Sequence, residues 1–173
     1  MSTLTNYTDL SGRVAVVIGG TSGLGRVMAM GLAKAGADVV VTGRREHLIN
    51  EIAGEIEALG RRTIRKVADV MDRGALESLR DETVAKLGSV DILLNAAGKT
   101  KRRPTIELPI EEWRDIMDTN VTGMLISCQV FYAALKASKP ERFPRWRPLL
   151  TSSANKSDPE RNTKSTSLPR SCQ

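Results

Sequence analysis

The stretch Gly19-Gly20-Thr21-Ser22-Gly23-Leu24-Gly25 has the spacing most suited to chemistry in this sequence. It follows a short apolar run, Val14-Ala15-Val16-Val17-Ile18, and precedes Val27, Met28, Met30, Leu32 and Ala35 at helical intervals that stop at Gly36. A glycine-rich turn between a buried strand and a helix lets the backbone bend tightly and approach a diphosphate. The helix N-terminus adds free N–H groups and the positive end of its dipole. Gly19, Thr21, Ser22, Gly23, Leu24 and Gly25 are therefore the expected phosphate cradle. Their spacing is Gly-x-x-x-Gly-x-Gly rather than the commoner Gly-x-Gly-x-x-Gly. No set of His, Cys and carboxylate residues has metal-ligand spacing, and His47 reads as a surface residue at a helix start.

The elements that must hold this turn follow in regular alternation. Val39-Val40-Val41 reads as a second strand, and Leu48, Ile52, Ile56 and Leu59 as a helix stripe ending at Gly60. Ile64 and Val67 sit in a third, weaker strand. Leu76, Leu79, Val84 and Leu87 mark another helix, closed by Gly88, and Val90 to Leu94 a fourth strand. After Pro109 comes a long helical region with Trp113, Ile116 and Met117 early and Met124, Leu125, Cys128, Tyr132 and Leu135 later. The acidic pair Glu111-Glu112 suits the N-terminus of that helix. Strands alternating with single helices predict an α/β, Rossmann-like, doubly wound parallel sheet with right-handed crossovers, over residues 10–137.

At this level the chain resembles the short-chain dehydrogenase/reductase family. The glycine turn is similar to that family's Thr-Gly-x-x-x-Gly-x-Gly signature, with Ile18 where threonine is usual. Asn95-Ala96-Ala97-Gly98 matches its Asn-Ala-Ala-Gly motif, and Asp69-Val70 its adenine-contacting Asp-Val/Leu. Asn120, in Asp118-Thr119-Asn120-Val121, matches the helix asparagine of its catalytic tetrad. The resemblance implies an NAD(P)-dependent oxidoreductase interconverting a small-molecule alcohol and ketone. It adds Asp69, Val70, Asn95, Ala96 and Gly98 to the cofactor residues and Asn120 to the catalytic ones. After the second strand the chain reads Gly43-Arg44-Arg45, with no carboxylate to accept a ribose 2′-OH. Paired guanidinium groups suit a 2′-phosphate, so NADP is expected over NAD.

The family's proton relay is expected to be missing. It needs a tyrosine whose pKa is lowered by a lysine four residues later, because free phenol titrates near ~10. Tyr132-Ala133-Ala134-Leu135-Lys136 fits the pattern literally but follows Asn120 on the same helix, so Tyr132 reads as a packing residue and Lys136 as a surface one. Ser152 is a poor equivalent of the family serine, crowded by Pro144 and Pro148. The expectation is a chain cut short, inactive, with its C-terminal stretch from another reading frame. The alternative is a non-catalytic NADP-binding or dimerising protein that pairs through the helix around 121–137.

Composition bounds the rest. The chain has 173 residues, a net charge of +6 and a pI near 9.6. Residues 1–137 hold 18 basic and 17 acidic side chains, whereas 138–173 hold 8 and 3, so the excess sits in a Ser/Pro/Arg-rich tail expected to be disordered. That tail offers only Phe143 and Trp146 for stacking, which argues against nucleic acid. A hydrophobic content of 40% excludes disorder throughout. No apolar run reaches the ~20 residues needed to cross a bilayer, and the N-terminus has no secretory pattern. Two cysteines, Cys128 and Cys172, exclude a disulfide scaffold and fit a cytoplasmic setting. Cys128 reads as a helix-face packing residue. Lys99, Lys101, Arg102 and Arg103 follow Gly98 and read either as a solvated loop or as a bias toward an acidic substrate, a sugar acid or carrier-bound acyl group.

Overall fold

The computed structural model describes residues 9–138. The basic tail lies outside the described residues apart from Ser138, and so does Ser152.

Five consecutive apolar residues form β1 (Val14–Ile18), and all five are buried. It pairs in parallel with β2 (Asp38–Thr42) and β3 (Ile92–Asn95), in the order β2-β1-β3. Alternating side chains serve two cores. Ala15, Val17, Val39 and Val41 pack with Ala29 and Ala33 of α1 (Gly23–Lys34) and with Ile52 and Ile56 of α2 (Glu46–Ala58). Val16, Ile18 and Val40 pack with Leu76 and Leu79 of α3 (Arg73–Leu87) and with Val130 and Phe131 on the last helix. Helices thus cover both faces, as the alternation predicts.

Three expectations need correction. The segment around Ile64 and Val67 forms no strand, so the sheet has three strands among the described residues rather than four. The chain runs beside β2 but meets it at isolated points: Arg62 N–H donates to Asp38 Oδ1 at 2.8 Å, Val39 N–H to Arg62 C=O at 3.1 Å, Thr42 Oγ1 to Lys66 C=O at 2.8 Å and Ala68 N–H to Gly43 C=O at 3.1 Å. Side-chain bonding in the middle replaces a backbone ladder. The buried face of α1 is Gly25, Ala29 and Ala33, whereas Val27 is 69% exposed and Met28 is exposed as well. Small residues let this helix lie close to the sheet; Val27 and Met28 turn outward, while Met30 and Leu32 pack partly buried at the edge of the core. Finally, the long helical region is not one α-helix. It runs as α4 (Ile110–Met117), a π-helical turn (Asp118–Thr122) and α5 (Gly123–Ala137).

The N-terminal end of the sheet is clamped by Asp91. Its carboxylate accepts from Arg13 Nη1 and the Val14 N–H, each at 2.9 Å, and from the hydroxyls of Ser89 at 2.8 Å and Ser138 at 2.6 Å. One side chain thereby joins the start of β1, the entry to β3 and the residue that ends α5.

Candidate functional site

The C-terminal ends of β1, β2 and β3 meet at one edge of the sheet, around a cleft of about 640 Å³. The chain leaves β1 toward β2 on one side and reaches β3 on the other, so this edge is a topological switch point, where open α/β sheets bind ligands.

The turn after β1 is shaped by close contacts. Gly19 has φ +79, and a Cβ there would lie 2.4 Å from both Cα and N of Ala97. A Cβ on Gly25 would lie 2.4 Å from the Gly19 carbonyl oxygen. These two glycines therefore let strand, helix and the loop after β3 approach one another. Ser22 is the N-cap of α1, yet its side chain caps nothing, and the first turn carries no acid. Its hydroxyl instead accepts from Arg45 Nη2 at 3.1 Å. The first-turn N–H groups, which have no partner within the helix, are left for an anion.

Arg44 and Arg45 leave the end of β2 along the cleft. Arg44 is 74% exposed, with its Nη1 4.0 Å from Asp69 Oδ2. The other oxygen of Asp69 accepts from the Met71 N–H at 3.0 Å, which turns the carboxylate toward the cleft wall. Of the residues expected from sequence, Gly19, Thr21, Ser22, Leu24, Gly25, Arg44, Arg45, Asp69, Val70, Ala96 and Gly98 line this space.

Three expected residues stand beside it rather than on it. Gly23 has φ +55 and faces open space. Asn95 ties β3 to α5: its Oδ1 accepts from Ser127 Oγ at 2.5 Å and its Nδ2 donates to Cys128 Sγ at 3.5 Å. Asn120 sits in the π-helical turn, a distortion common at functional sites. Its Oδ1 accepts from the Lys99 N–H at 2.9 Å and its Nδ2 donates to the Lys99 carbonyl at 3.0 Å. Asn120 thus acts here as a positioning residue that clamps the loop leaving Gly98.

The cleft also holds Lys99, one of the basic residues read as a solvated loop or a bias toward an acidic substrate, and three residues that sequence reasoning missed: Asp115, Asp118 and Thr119. Asp118 and Thr119 flank Asn120 in sequence. Asp115 stands one helical turn before Asp118, a spacing that becomes meaningful only once the helix is aimed at the cleft. Residues 101–107 of the basic loop are exposed, and three of the loop's cations pair with carboxylates of α4. Lys99 pairs with Asp115, and Lys101 and Arg103 both pair with Glu112, at 3.2 and 3.3 Å.

Two further readings are corrected. Tyr132 is 63% exposed rather than packed, with Lys136 Nζ 6.0 Å from its ring centroid, and neither residue lines the cleft. Cys128 is exposed, because the inward face of α5 is taken by Gly123, Ser127, Val130 and Phe131. A second hollow, of about 440 Å³, lies by Gly36 and Arg61, away from every residue expected to act.

Comparison with known proteins agrees with this architecture. The family model described as short chain dehydrogenase matches residues 13–141. A 2-dehydro-3-deoxy-D-gluconate 5-dehydrogenase of Escherichia coli is 38% identical over 121 residues, covering 70% of this chain and 47% of the relative. A hydroxyacyl-CoA dehydrogenase of Mycobacterium tuberculosis is 37% identical over 124 residues, covering 69% of this chain and 39% of the relative. The crystal structure of a short-chain type dehydrogenase/reductase from Mycobacterium marinum superposes with a TM-score of 0.71 at 33% identity, over 78% of this chain and 54% of that one. The chain thus spans about half the length, or less, of the relatives it matches.

Proposed function

Because the chain belongs to the short-chain dehydrogenase family, we propose that its cleft binds NADP and that its fold is that of the family's hydroxyl–ketone oxidoreductases, with this chain itself inactive for want of their proton relay. The observation that carries this reading is the anion-ready turn: an uncapped helix N-terminus beside Gly19 and Gly25, with Arg45 bonded to Ser22 across it. A bound nicotinamide supplies the hydride chemistry, and the protein supplies position and charge. The residues after β2 favour NADP over NAD, since Arg44 and Arg45 offer donors to a 2′-phosphate. The relatives' names, a gluconate derivative and a hydroxyacyl-CoA, support a substrate that carries a negative charge. A cytoplasmic setting goes with this reading. Among the described residues, no helix is long and apolar enough to cross a membrane.

Titration of the purified chain with NADP and NAD tests the assignment. Arg44→Asp is expected to weaken NADP about tenfold relative to NAD, the scale of one lost charge-assisted contact. An unchanged NADP preference would overturn it. In the same samples, NADPH oxidation with a panel of ketones is expected to show no turnover, because the chain's Tyr-x-x-x-Lys stands on the outer face of α5, away from the cleft. Substantial turnover would refute that part.

A second reading is a non-catalytic NADP-binding protein that acts as a dimer. It is favoured by Val121, Met124, Leu125 and Tyr132, exposed apolar residues that recur along one side of the π turn and α5. Sedimentation of the wild-type chain should then show a dimer that Leu125→Glu converts to monomer. A wild-type monomer would exclude it.

A further inference from the structure

We propose that Lys99 determines substrate specificity in this cleft, by exchanging its partner Asp115 for the carboxylate of a polyhydroxy acid. The inference rests on the reading of the cleft as a dinucleotide site and deepens it.

Position comes first. Arg44 and Arg45 follow β2, the glycine turn follows β1 and Lys99 follows β3, so the three lie in that order across the sheet edge. A dinucleotide laid over the turn with its ribose phosphate at the arginines has its other end beside Lys99. Of the basic residues in the loop after Gly98, only Lys99 lines the cleft, while Lys101 and Arg103 are held by Glu112 on the outside.

Chemistry comes second. The Lys99 backbone is clamped at both its N–H and its carbonyl by Asn120, so its base is fixed and only the four-carbon stem has to move. Its side chain is 31% exposed and that of Asp115 more so, and ion pairs at such exposure are weak, which makes exchange for another carboxylate easy. The same end of the cleft carries Asp115 and Asp118, the latter accepting from Thr122 Oγ1 at 3.3 Å. Two carboxylates would repel a plain organic acid, but they accept hydroxyl donors well. When Lys99 turns to the ligand's carboxylate, Asp115 is released to accept a ligand hydroxyl. A molecule with one carboxylate and several hydroxyls satisfies all three charged groups. A polyol brings no anion to draw Lys99 from Asp115, so Asp115 stays closed to its hydroxyls, and a simple fatty acid takes Lys99 but leaves Asp115 without a donor.

The test uses the full chain in two stages. NADP binding is measured first by calorimetry. Gluconate, sorbitol and hexanoate are then compared on the NADP-loaded protein by saturation-transfer NMR. Gluconate is expected to bind about tenfold or more tightly than either of the others. K99M should bring gluconate down to the level of sorbitol, while K99R should keep the preference. The proposal is overturned if wild type does not favour gluconate, or if the preference survives K99M. It is overturned too if K99R, with its charge intact, loses the preference as fully as K99M. Absence of NADP binding in the first stage overturns the cofactor reading and this inference with it, and is read separately from failure in the second.

Discussion

Gly19→Ala is expected to destabilise the protein by about 3 kcal/mol, a large part of the ~5–15 kcal/mol that holds a typical domain folded. Two effects act together. At φ +79 the backbone lies where an L side chain is strained. The added methyl would also sit 2.4 Å from Ala97 Cα and N and 2.7 Å from the Ala96 carbonyl carbon. These neighbours are backbone, so no rotamer change relieves the clash, and the loop after β3 has to move away from the end of β1. That movement opens the wall on which Ala96 and Gly98 stand, so NADP affinity should fall along with stability. Gly23→Ala is the matching control, since it has a positive φ of +55 but open space around the new methyl. Its cost should be near 1 kcal/mol, from strain alone. Urea unfolding of both variants checks this. Equal midpoints for the two would show that the contact with Ala97 contributes nothing.

Asp91→Ala should cost a similar amount, about 3 kcal/mol, for a different reason: it leaves the Arg13 guanidinium, a backbone N–H and two hydroxyls without their common acceptor in a largely buried setting. Its ionisation makes the effect visible in pH. Burial alone would push the carboxyl up. Bonds from Ser138, Val14, Ser89 and Arg13 outweigh that and hold it below the ordinary carboxylate range. A depressed carboxylate contributes stability that is fully present above its unfolded value, near ~3.9, and is lost as pH falls through the folded value. Wild-type stability should therefore drop on the acid side of that value, and Asp91→Asn should flatten the drop while lowering stability at neutral pH. An acid limb of the same slope in both proteins would sink this account.

These two sites differ in how far they could be read in advance. The glycine turn was legible because a phosphate cradle demands its residue types in a fixed order, directly between a strand and a helix. The reason Gly19 in particular admits no side chain was not, since Ala96 and Ala97 come from the loop after β3, far along the chain. Asp91 carried no motif at all. Its partners Arg13, Val14 and Ser138 gather around it only when β1, β3 and the end of α5 meet at one end of the sheet.

Helix faces show the same division. In α2 and α3 the large apolar residues Ile52, Ile56, Leu76 and Leu79 face the core, so helical spacing found them. In α1 that reasoning chose Val27, Met28, Met30, Leu32 and Ala35; Met30 and Leu32 pack against the edge of the core, but Val27 and Met28 are exposed, because the helix lies so close to the sheet that only Gly25, Ala29 and Ala33 are fully buried beneath it. Hydrophobic spacing reports where apolar area lies, whereas the buried face is set by how near two elements come. The π-helical turn was invisible for a related reason. The apolar stripe from Trp113 to Leu135 continues through it, and an extra residue in a helical turn leaves no mark on composition.

What the sequence alone determined is local and ordered along the chain: a buried β1, the glycine turn after it, the alternation of strands and helices, and Asn120 in its helix. These follow from propensities, periodicity and motif order, which need only neighbours. The tertiary structure decided which groups meet: Arg45 with Ser22, Asn120 with the backbone of Lys99, and Lys99 with Asp115 at the far end of the cleft. Those meetings depend on the distance and direction between elements, which side-chain volumes at β1, α1 and α5 set and which no linear spacing records.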